Sequence, residues 1–170
     1  QLVVSKTDKP GIKILTTKAE KAEVLRSIGL ERLVILEFNQ EFAETPPKKF
    51  VEEILINKLK MSHFIIGYDH AFGKDRQGNL DLLKSMSSTH NFDVDAVGPV
   101  LENTHLISST NIRNHLLNGN VERATEFLGR KYKICGTVVK GYGRGKKLGF
   151  PTANLKPLTQ NKLIPKEGIY

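Results

Sequence analysis

Helix-like and strand-like segments alternate along residues 17 to 97, and this alternation limits the folds that the chain can adopt. Thr17-Lys-Ala-Glu20 is a capping-box pattern that predicts a helix with Ile28 among its core-facing residues and Gly29 at its end. Leu33–Leu36 is wholly apolar, which predicts a buried strand. Further helices are predicted after Thr45-Pro-Pro47, with core-facing residues up to Leu59, and at 80–90, and further strands at 63–67 and 92–97. Such an alternation predicts an α/β fold with a parallel sheet.

The pattern changes after Gly129. Before it, two helices are predicted, one following Ile107-Ser-Ser-Thr110 and one following Asn120. Beyond it, apolar and polar residues alternate from Tyr132 to Val139, which is typical of a strand, and glycine turns follow. We therefore predict two domains, residues 1–129 and residues 130–170, with an all-β module in the second.

The net charge of the chain does not by itself select one class of binding partner. The formal net charge is +8, which suits a nucleic-acid surface, an anionic small substrate or simple solubility. The basic residues are scattered, which disfavours nucleic acid.

Cys135 is the single cysteine, so an internal disulfide is excluded and a reducing compartment is favoured. The first residues lack a signal-peptide pattern and no apolar run is long enough to span a membrane, so we expect a cytoplasmic protein with no membrane partner.

Three stretches carry candidate chemistry, and the first is a predicted helix start. The hydroxyls of Ser108, Ser109 and Thr110 stand beside unpaired backbone N–H groups and the positive end of the helix dipole. Arg113 lies one turn further on and can fork onto a phosphate. A plain helix cap with a surface arginine explains the same residues.

The second stretch, Gly67–Gly78, directly follows a predicted strand. In open α/β sheets, ligands bind beyond the carboxyl ends of strands. Asp69 and His70 are candidate polar contacts, Phe72 is a candidate for stacking on a flat ring, and Gly73 permits a folded loop. The alternative is a surface loop whose Phe72 enters the core. The histidines of the chain lack metal-ligand spacing, which disfavours a histidine metal site.

The third stretch, GRGKKLGFPTANL at 143–155, is rich in glycine but lacks the Ser or Thr that follows Gly-Lys in a P-loop. Backbone N–H groups of a glycine loop and its basic side chains can surround an anion. A hydroxyl and an amide oxygen then follow, and such oxygens suit Mg²⁺ beside phosphates. The candidate residues are Gly141, Gly143, Lys147, Thr152 and Asn154. The alternative is a glycine turn with a solvated basic face.

In their order along the chain, these stretches resemble the bacterial bifunctional riboflavin kinase/FAD synthetase family. The resemblance runs from about Thr16 to Tyr170 and rests on four motifs in sequence order. These are Ile66–Gly73 with Arg76 and Gly78, Ile107–Arg113, Gly119–Arg130 and Gly136–Leu155.

The resemblance implies a nucleotidyltransferase-like parallel sheet domain, N-terminally incomplete, followed by the start of a riboflavin-kinase-like β-barrel. It implies ATP-dependent phosphorylation of riboflavin to FMN and adenylylation of FMN to FAD, with riboflavin, FMN, ATP and Mg²⁺ as small-molecule partners. It gives the ATP phosphates of adenylylation to Ser108, Ser109, Thr110 and Arg113, and the flavin and nucleotide cleft to Asp69, Phe72 and Gly73. It gives ATP of the kinase to Gly141, Gly143, Lys147, Thr152 and Asn154, the last two also holding the metal.

Three departures from the family pattern set an expectation about activity. The family's adenylyltransferase carries an HxGH histidine pair, and none of the five histidines here has such a partner. The kinase's general-base glutamate would lie beyond Tyr170, and Ala71 stands where the family usually carries a larger residue. We therefore interpret the chain as an internal fragment and expect neither activity from it alone. We also expect residues after about Gly136 to be poorly ordered or to pair irregularly.

Two other functions remain open from the residues. One is a basic nucleic-acid-binding module, for which Tyr132, Tyr142 and Phe150 are the local stacking candidates. The other is a nucleotidyltransferase for a different substrate.

Overall fold

The computed structural model describes residues 2–6, 13–141, 145, 149–150 and 152–170. Its helices are α1 Lys18–Ser27, α2 Gln40–Ala43, α3 Pro47–Lys49, α4 Leu80–His90, α5 Ser109–Leu117 and α6 Val121–Leu128. A π-helix, Phe50–Lys58, continues α3, and a 3₁₀ turn covers Lys74–Arg76. The strands are β1 Leu2–Lys6, β2 Val34–Phe38, β3 His63–Gly67, β4 Asp93–Val97, β5 Leu101–Glu102, β6 His105–Leu106, β7 Gly136–Val139 and β8 Asn154–Pro157.

The chain divides into two compact units. Unit 1 comprises Gln1–Asp8 and Leu33–Leu101, and unit 2 comprises Lys9–Arg32 and Glu102–Tyr170. Helices and strands are mixed in both units.

Unit 1 contains two parallel strand pairs, which confirms parallel pairing in this part of the chain. Strand β1 pairs with β2, and β3 pairs with β4 so that His63 lies opposite Asp93. Both members of the second pair end at the same edge, at Gly67 and Val97. The core of the unit is formed by buried side chains of the π-helix, β3, α4 and the chain before β4: Phe50, Val51, Leu55, Ile66, Leu83, Met86 and Phe92.

Two details of unit 1 differ from the sequence expectation. Strand β2 is not fully buried, because Leu36 packs on the core whereas Ile35 is 51% exposed. Burial therefore follows the period of two that a strand with one covered face has. The helix after Pro47 widens at Phe50, where bonds such as Leu59 N–H to Ile54 O span five residues. Leu59, expected to face the core, is 39% exposed.

Unit 2 packs around helices α5 and α6. Its buried cluster is Ile112, Leu116, Ala124, Phe127 and Leu163. Helix α6 ends at Leu128 and is capped by Gly129, which adopts the left-handed conformation with φ 63° that glycine tolerates best. Later in the chain, β7 and β8 pair antiparallel, with Gly136 opposite Pro157 and Val139 opposite Asn154. The expectation of irregular pairing after Gly136 is therefore wrong for these two strands.

Helix α1 begins with the predicted capping box. Glu20 N–H donates to the Thr17 hydroxyl, and the Glu20 carboxylate accepts from Thr17 N–H. The helix ends at Ser27, so Ile28 caps it and is 74% exposed instead of core-facing. The buried residue of α1 is Glu20, which the sequence analysis did not place inside.

A buried ion pair joins α1 to the C-terminal part of unit 2. Glu20 Oε2 lies 2.7 Å from Lys162 Nζ, and the two side chains are only 7% and 2% exposed. The Lys162 ammonium also donates to Leu15 O at 2.7 Å and lies 4.6 Å from the centre of the Tyr132 ring. Glu20 Oε1 is buried without a hydrogen-bond partner among the described residues. Removing either side chain is costly, because the remaining one stays charged and buried without its partner.

The electrostatics of this cluster follow from its burial. Burial alone would raise the pKa of Glu20, but the Lys162 ammonium, Thr17 N–H and Cys135 thiol together lower the pKa below its ordinary value. Burial, followed by the nearby Glu20 charge, raises the pKa of Tyr132 to about 12. The Tyr132 hydroxyl stays protonated and donates to Leu163 O at 2.8 Å.

We expect the Glu20–Lys162 pair to make the chain less stable in acid. Because the pKa of Glu20 in the folded chain lies below 4.5, the pair stabilises fully above pH 4.5 and is lost as the pH falls through that lower value. Urea unfolding between about pH 6 and about pH 3 would measure this loss. The double variant Glu20→Gln/Lys162→Met is the control, since it keeps every other carboxylate. Equal acid slopes for the two chains would contradict the prediction.

Candidate functional site

The first predicted site stands at the N-terminus of α5. Ser108 is the helix cap, and its Oγ accepts from Asn111 N–H at 3.2 Å. Ser109 and Thr110 follow in the first turn with exposed side chains. Ile112 is buried in the unit 2 core and fixes the face that α5 turns inward. The two exposed hydroxyls therefore stand where the helix dipole and unpaired N–H groups favour an anion.

Arg113 is half-buried one turn further along the same helix. Its Nε donates to Lys13 O at 2.9 Å, across 100 residues of sequence. This bond uses one of five guanidinium N–H donors and restricts the orientation of the group. The structure thus brings Ser108, Ser109, Thr110 and Arg113 together on the first turn and a half of α5.

The second predicted site is the loop that leaves β3 at its carboxyl end. Tyr68 N–H donates to Val97 O and continues the β3–β4 pairing by one bond, and His70 N–H then closes a turn on Gly67 O. Asp69 and His70 are exposed in this turn. Tyr68 is also 55% exposed, which makes it an accessible aromatic residue that the sequence analysis did not single out. In the sequence, the feature that could have pointed to Tyr68 is its position directly before Asp69, a candidate contact residue.

Phe72 lies inward, as the alternative interpretation of this loop held. Its ring is 5.8 Å from the Phe50 ring and 6.1 Å from the Phe64 ring, measured between centres. The backbones of Phe72 and Gly78 exchange two hydrogen bonds of 3.0 and 2.9 Å. A Cβ at Gly78 would lie 2.5 Å from the Phe72 ring, so glycine is required there. These contacts fix Phe72 at the edge of the unit 1 core.

The turn after Phe72 is tightly held against the start of α3. Gly73 has φ 71°, and a Cβ on it would lie 2.7 Å from Pro47 Cα. Lys74 N–H donates to Thr45 O at 2.9 Å, and its ammonium lies 2.6 Å from the Glu44 carboxylate. The hydrogen bond to Glu44 and its charge raise the pKa of Lys74. Two non-glycine residues that follow, Asp75 and Arg76, also have positive φ, of 53° and 58°. A loop with such strain persists only where surrounding contacts hold it.

The third predicted site is described in part. Asn154 packs so closely on Gly141 that a Cβ there would lie 2.1 Å from Nδ2 and 2.9 Å from Oδ1. The Thr152 hydroxyl would lie 2.9 Å from a Cβ at Gly145. Four residues of this stretch thus form two glycine-to-side-chain contacts, and the hydroxyl and amide oxygens in them are of the kind that Mg²⁺ takes. Gly143 and Lys147 lie outside the described residues.

The predicted sites are divided between the units. The loop 67–78 belongs to unit 1, whereas α5 and the stretch 141–155 belong to unit 2. Within the described ranges, no group of three or more His, Cys, Asp or Glu side chains could hold a metal ion. No described helix is long and apolar enough to cross a membrane.

A cleft of about 210 Å³ is lined by none of the predicted site residues. Its lining combines α1 with the chain after α6: Glu20, Glu23, Val24, Ser27, Arg130, Lys131 and Lys133. The Lys133 ammonium lies 2.8 Å from the Glu23 carboxylate, so part of its charge is already paired.

Comparison with known families divides the chain in two. Residues 1–111 match the sequence model of the FAD synthetase family, and residues 128–170 match that of riboflavin kinase. The loop 67–78 and α5 to Asn111 fall in the first match, and the stretch 141–155 falls in the second.

Curated relatives carry both regions in one protein. A bifunctional riboflavin kinase/FMN adenylyltransferase of Buchnera aphidicola is 40% identical over 93% of this chain and 50% of its own length. The proteins of the same name from Listeria monocytogenes and Bacillus subtilis are 36% and 34% identical, over 94% and 96% of this chain. This chain spans about half the length of these relatives.

One solved structure has the same fold over nearly the whole chain. A crystal structure described as a macrolide-efflux protein from Streptococcus pneumoniae aligns with a TM-score of 0.81 at 29% identity, covering 98% of this chain and 56% of that one. Its description concerns efflux, whereas both family matches and the names of the relatives concern flavin chemistry. The chain belongs to the bacterial bifunctional riboflavin kinase/FMN adenylyltransferase family, of which it carries the FAD synthetase region followed by part of the flavokinase region.

Proposed function

We propose that this chain carries parts of two active sites of FAD biosynthesis. One phosphorylates riboflavin to FMN with ATP, and the other transfers AMP from ATP to FMN, releasing pyrophosphate. The proposal is supported by the two family matches, which follow one another in the chain, and by the names of the relatives. We assign the first activity to residues 130–170, within the riboflavin kinase match, and the second to residues 1–129, a nucleotidyltransferase-like domain.

The observation that carries the adenylyltransferase assignment is the arrangement at α5. The exposed residues Ser109 and Thr110 lie in the first turn of α5, and the anchored Arg113 lies one turn further along the same helix. Nucleotidyl transfer expels pyrophosphate, so a catalyst must hold the triphosphate in place and neutralise the charge that develops on the leaving group. In our proposal these residues, with Ser108 as the cap, hold the ATP phosphates.

The flavin and nucleotide cleft is assigned to the loop after β3. Asp69 is exposed there and suits a polar contact with the ligand. Gly73 gives the loop its tight turn against Pro47. Phe72 is half-buried, so in our proposal it shapes the floor of the cleft through its packing on Phe50 and Phe64.

The kinase site is assigned to the glycine-rich stretch. Gly141, Gly143 and Lys147 would surround ATP phosphates, and Thr152 and Asn154 would offer oxygen ligands to Mg²⁺. The ion, when bound, neutralises phosphate charge during phosphoryl transfer. The close packing of Asn154 on Gly141 supports this assignment. A cytoplasmic location stays a prediction. The lack of either complete activity in this chain alone also stays a prediction. Incubation of the chain with riboflavin, ATP and Mg²⁺ tests it, because formation of FMN or FAD would contradict it.

We expect Arg113→Ala to weaken pyrophosphate binding about tenfold or more, because a charge-assisted bond to phosphate is lost. Isothermal titration of the chain with pyrophosphate would measure this. The control is Arg26→Ala, which removes an exposed arginine from α1 of the same unit and should leave the affinity unchanged. Equal affinities for all three chains would contradict the role of Arg113. Tight, salt-sensitive binding of single-stranded DNA without binding of pyrophosphate would support the nucleic-acid alternative instead.

A further inference from the structure

A segment of the flavokinase region is part of the core that carries α5. Residues 160–166 fall within the match to riboflavin kinase, yet Leu163 is 1% exposed and belongs to the same buried cluster as Ile112 and Leu116 of α5. Lys166 N–H donates at 3.0 Å to Leu116 O in the last turn of that helix, an oxygen that also accepts from Gly119 N–H at 3.1 Å. The segment thus packs on one face of α5 and also caps its last turn.

Residues 160–163 also hydrogen-bond to residues 13 and 14, and the carbonyl of Lys13 in turn holds Arg113. Ile14 N–H donates to Asn161 O at 2.8 Å, and Leu163 N–H donates to Ile14 O at 2.9 Å. Lys13 Nζ donates to Gln160 O at 2.7 Å. The carbonyl of Lys13 then accepts from Arg113 Nε. A continuous series of hydrogen bonds therefore leads from residues 160–163 through residues 13–14 to the guanidinium of Arg113.

Side-chain contacts also hold the two backbone segments of this series, residues 13–15 and residues 160–163. Lys162 donates to Leu15 O and pairs with Glu20, and it is 2% exposed. Tyr132 donates to Leu163 O. Because these contacts are buried or partly buried, residues 160–163 have little freedom to shift without moving residues 13–15.

We propose that residues 160–166 of the flavokinase region are positioning residues for the phosphate site of the adenylyltransferase, acting through α5 and through the Lys13 carbonyl that holds Arg113. This inference rests on the proposed role of α5. It makes one catalytic region depend on the sequence of the other within a single chain.

Hydrogen exchange read by mass spectrometry tests the structural half of the inference. Leu163→Ala is expected to accelerate exchange about tenfold in residues 13–17 and 107–117, while α4 in unit 1 keeps its rate. Leu158→Ala is the matched control, because Leu158 lies in the same region but is 69% exposed. Leu163→Val, a smaller change, covers the case in which Leu163→Ala does not fold. Unchanged rates in both segments, or equal acceleration in α4, would overturn the inference.

Pyrophosphate binding tests the functional half. Leu163→Ala, or Leu163→Val if needed, is expected to weaken it about fivefold or more, whereas Leu158→Ala leaves it unchanged. Wild-type affinity in a Leu163 variant would overturn the inference. If the unaltered chain binds no pyrophosphate, the proposed function has failed, and the exchange rates alone then decide whether residues 160–166 position α5.

Discussion

Lys162→Met is expected to lower the free energy of unfolding by about 3–5 kcal/mol, because it leaves the Glu20 carboxylate charged and buried without its partner. The loss also includes the hydrogen bond from Lys162 to Leu15 O and the contact with the Tyr132 ring. Urea unfolding at neutral pH, followed by circular dichroism, would measure it. The methionine side chain fills much of the volume of the aliphatic part of the lysine side chain. The loss of stability therefore reports the lost charge more than the lost volume.

Two controls make this prediction specific. Lys133→Met removes the partner of Glu23, which also lies on α1 but in an exposed pair, with side chains 52% and 63% exposed. It should cost only a small fraction of the loss at Lys162, because solvent screens exposed pairs. Glu20→Gln/Lys162→Met removes both charges and should recover most of the lost stability. A loss at Lys162 no larger than that at Lys133 would contradict the buried-pair argument.

Gly73→Ala is expected to destabilise unit 1 by about 2–4 kcal/mol, because a positive φ and a steric clash act together. Gly73 has φ 71°, and the added Cβ would meet three Pro47 atoms at 2.7 to 2.9 Å, two of them backbone. Backbone atoms cannot give way as a flexible side chain can, so the loop that we assign to the flavin cleft would have to move.

Gly29→Ala separates the two causes. Gly29 also has positive φ, of 89°, but its added Cβ would meet nothing within 4 Å. It should therefore carry only the conformational cost, about 1 kcal/mol. Chemical denaturation of the two variants gives the difference. If Gly73→Ala costs no more than Gly29→Ala, the contact with Pro47 is not as close as described.

Local signals were sufficient for much of the fold. Strand His63–Gly67 and helix Leu80–His90 have their predicted bounds, because an apolar run of strand length and a helical period with its own cap are complete within each segment. The capping box at Thr17 and the Ser108 cap are also local, since every partner lies within three residues. These elements could be read from neighbouring residues alone.

The rest depends on contacts that no local pattern contains. Glu20 and Lys162 are 142 residues apart, and a glutamate in a capping box is ordinarily expected at the surface. Arg113 was singled out from its spacing, but its partner, the Lys13 carbonyl, is 100 residues away. Ile28 and Ile35 were expected inside from their hydrophobicity, and the end of α1 and the single covered face of β2 leave them exposed.

The position of Leu163 has a consequence for the order in which the protein is made. The other members of its cluster, from Ile112 to Phe127, are synthesised and emerge from the ribosome before Leu163 does. Unit 1, apart from β1, is one continuous stretch that is finished earlier. We therefore expect a nascent chain to complete unit 1 first and to expose the apolar faces of α5 and α6 until the flavokinase segment emerges, an interval in which chaperones can bind them.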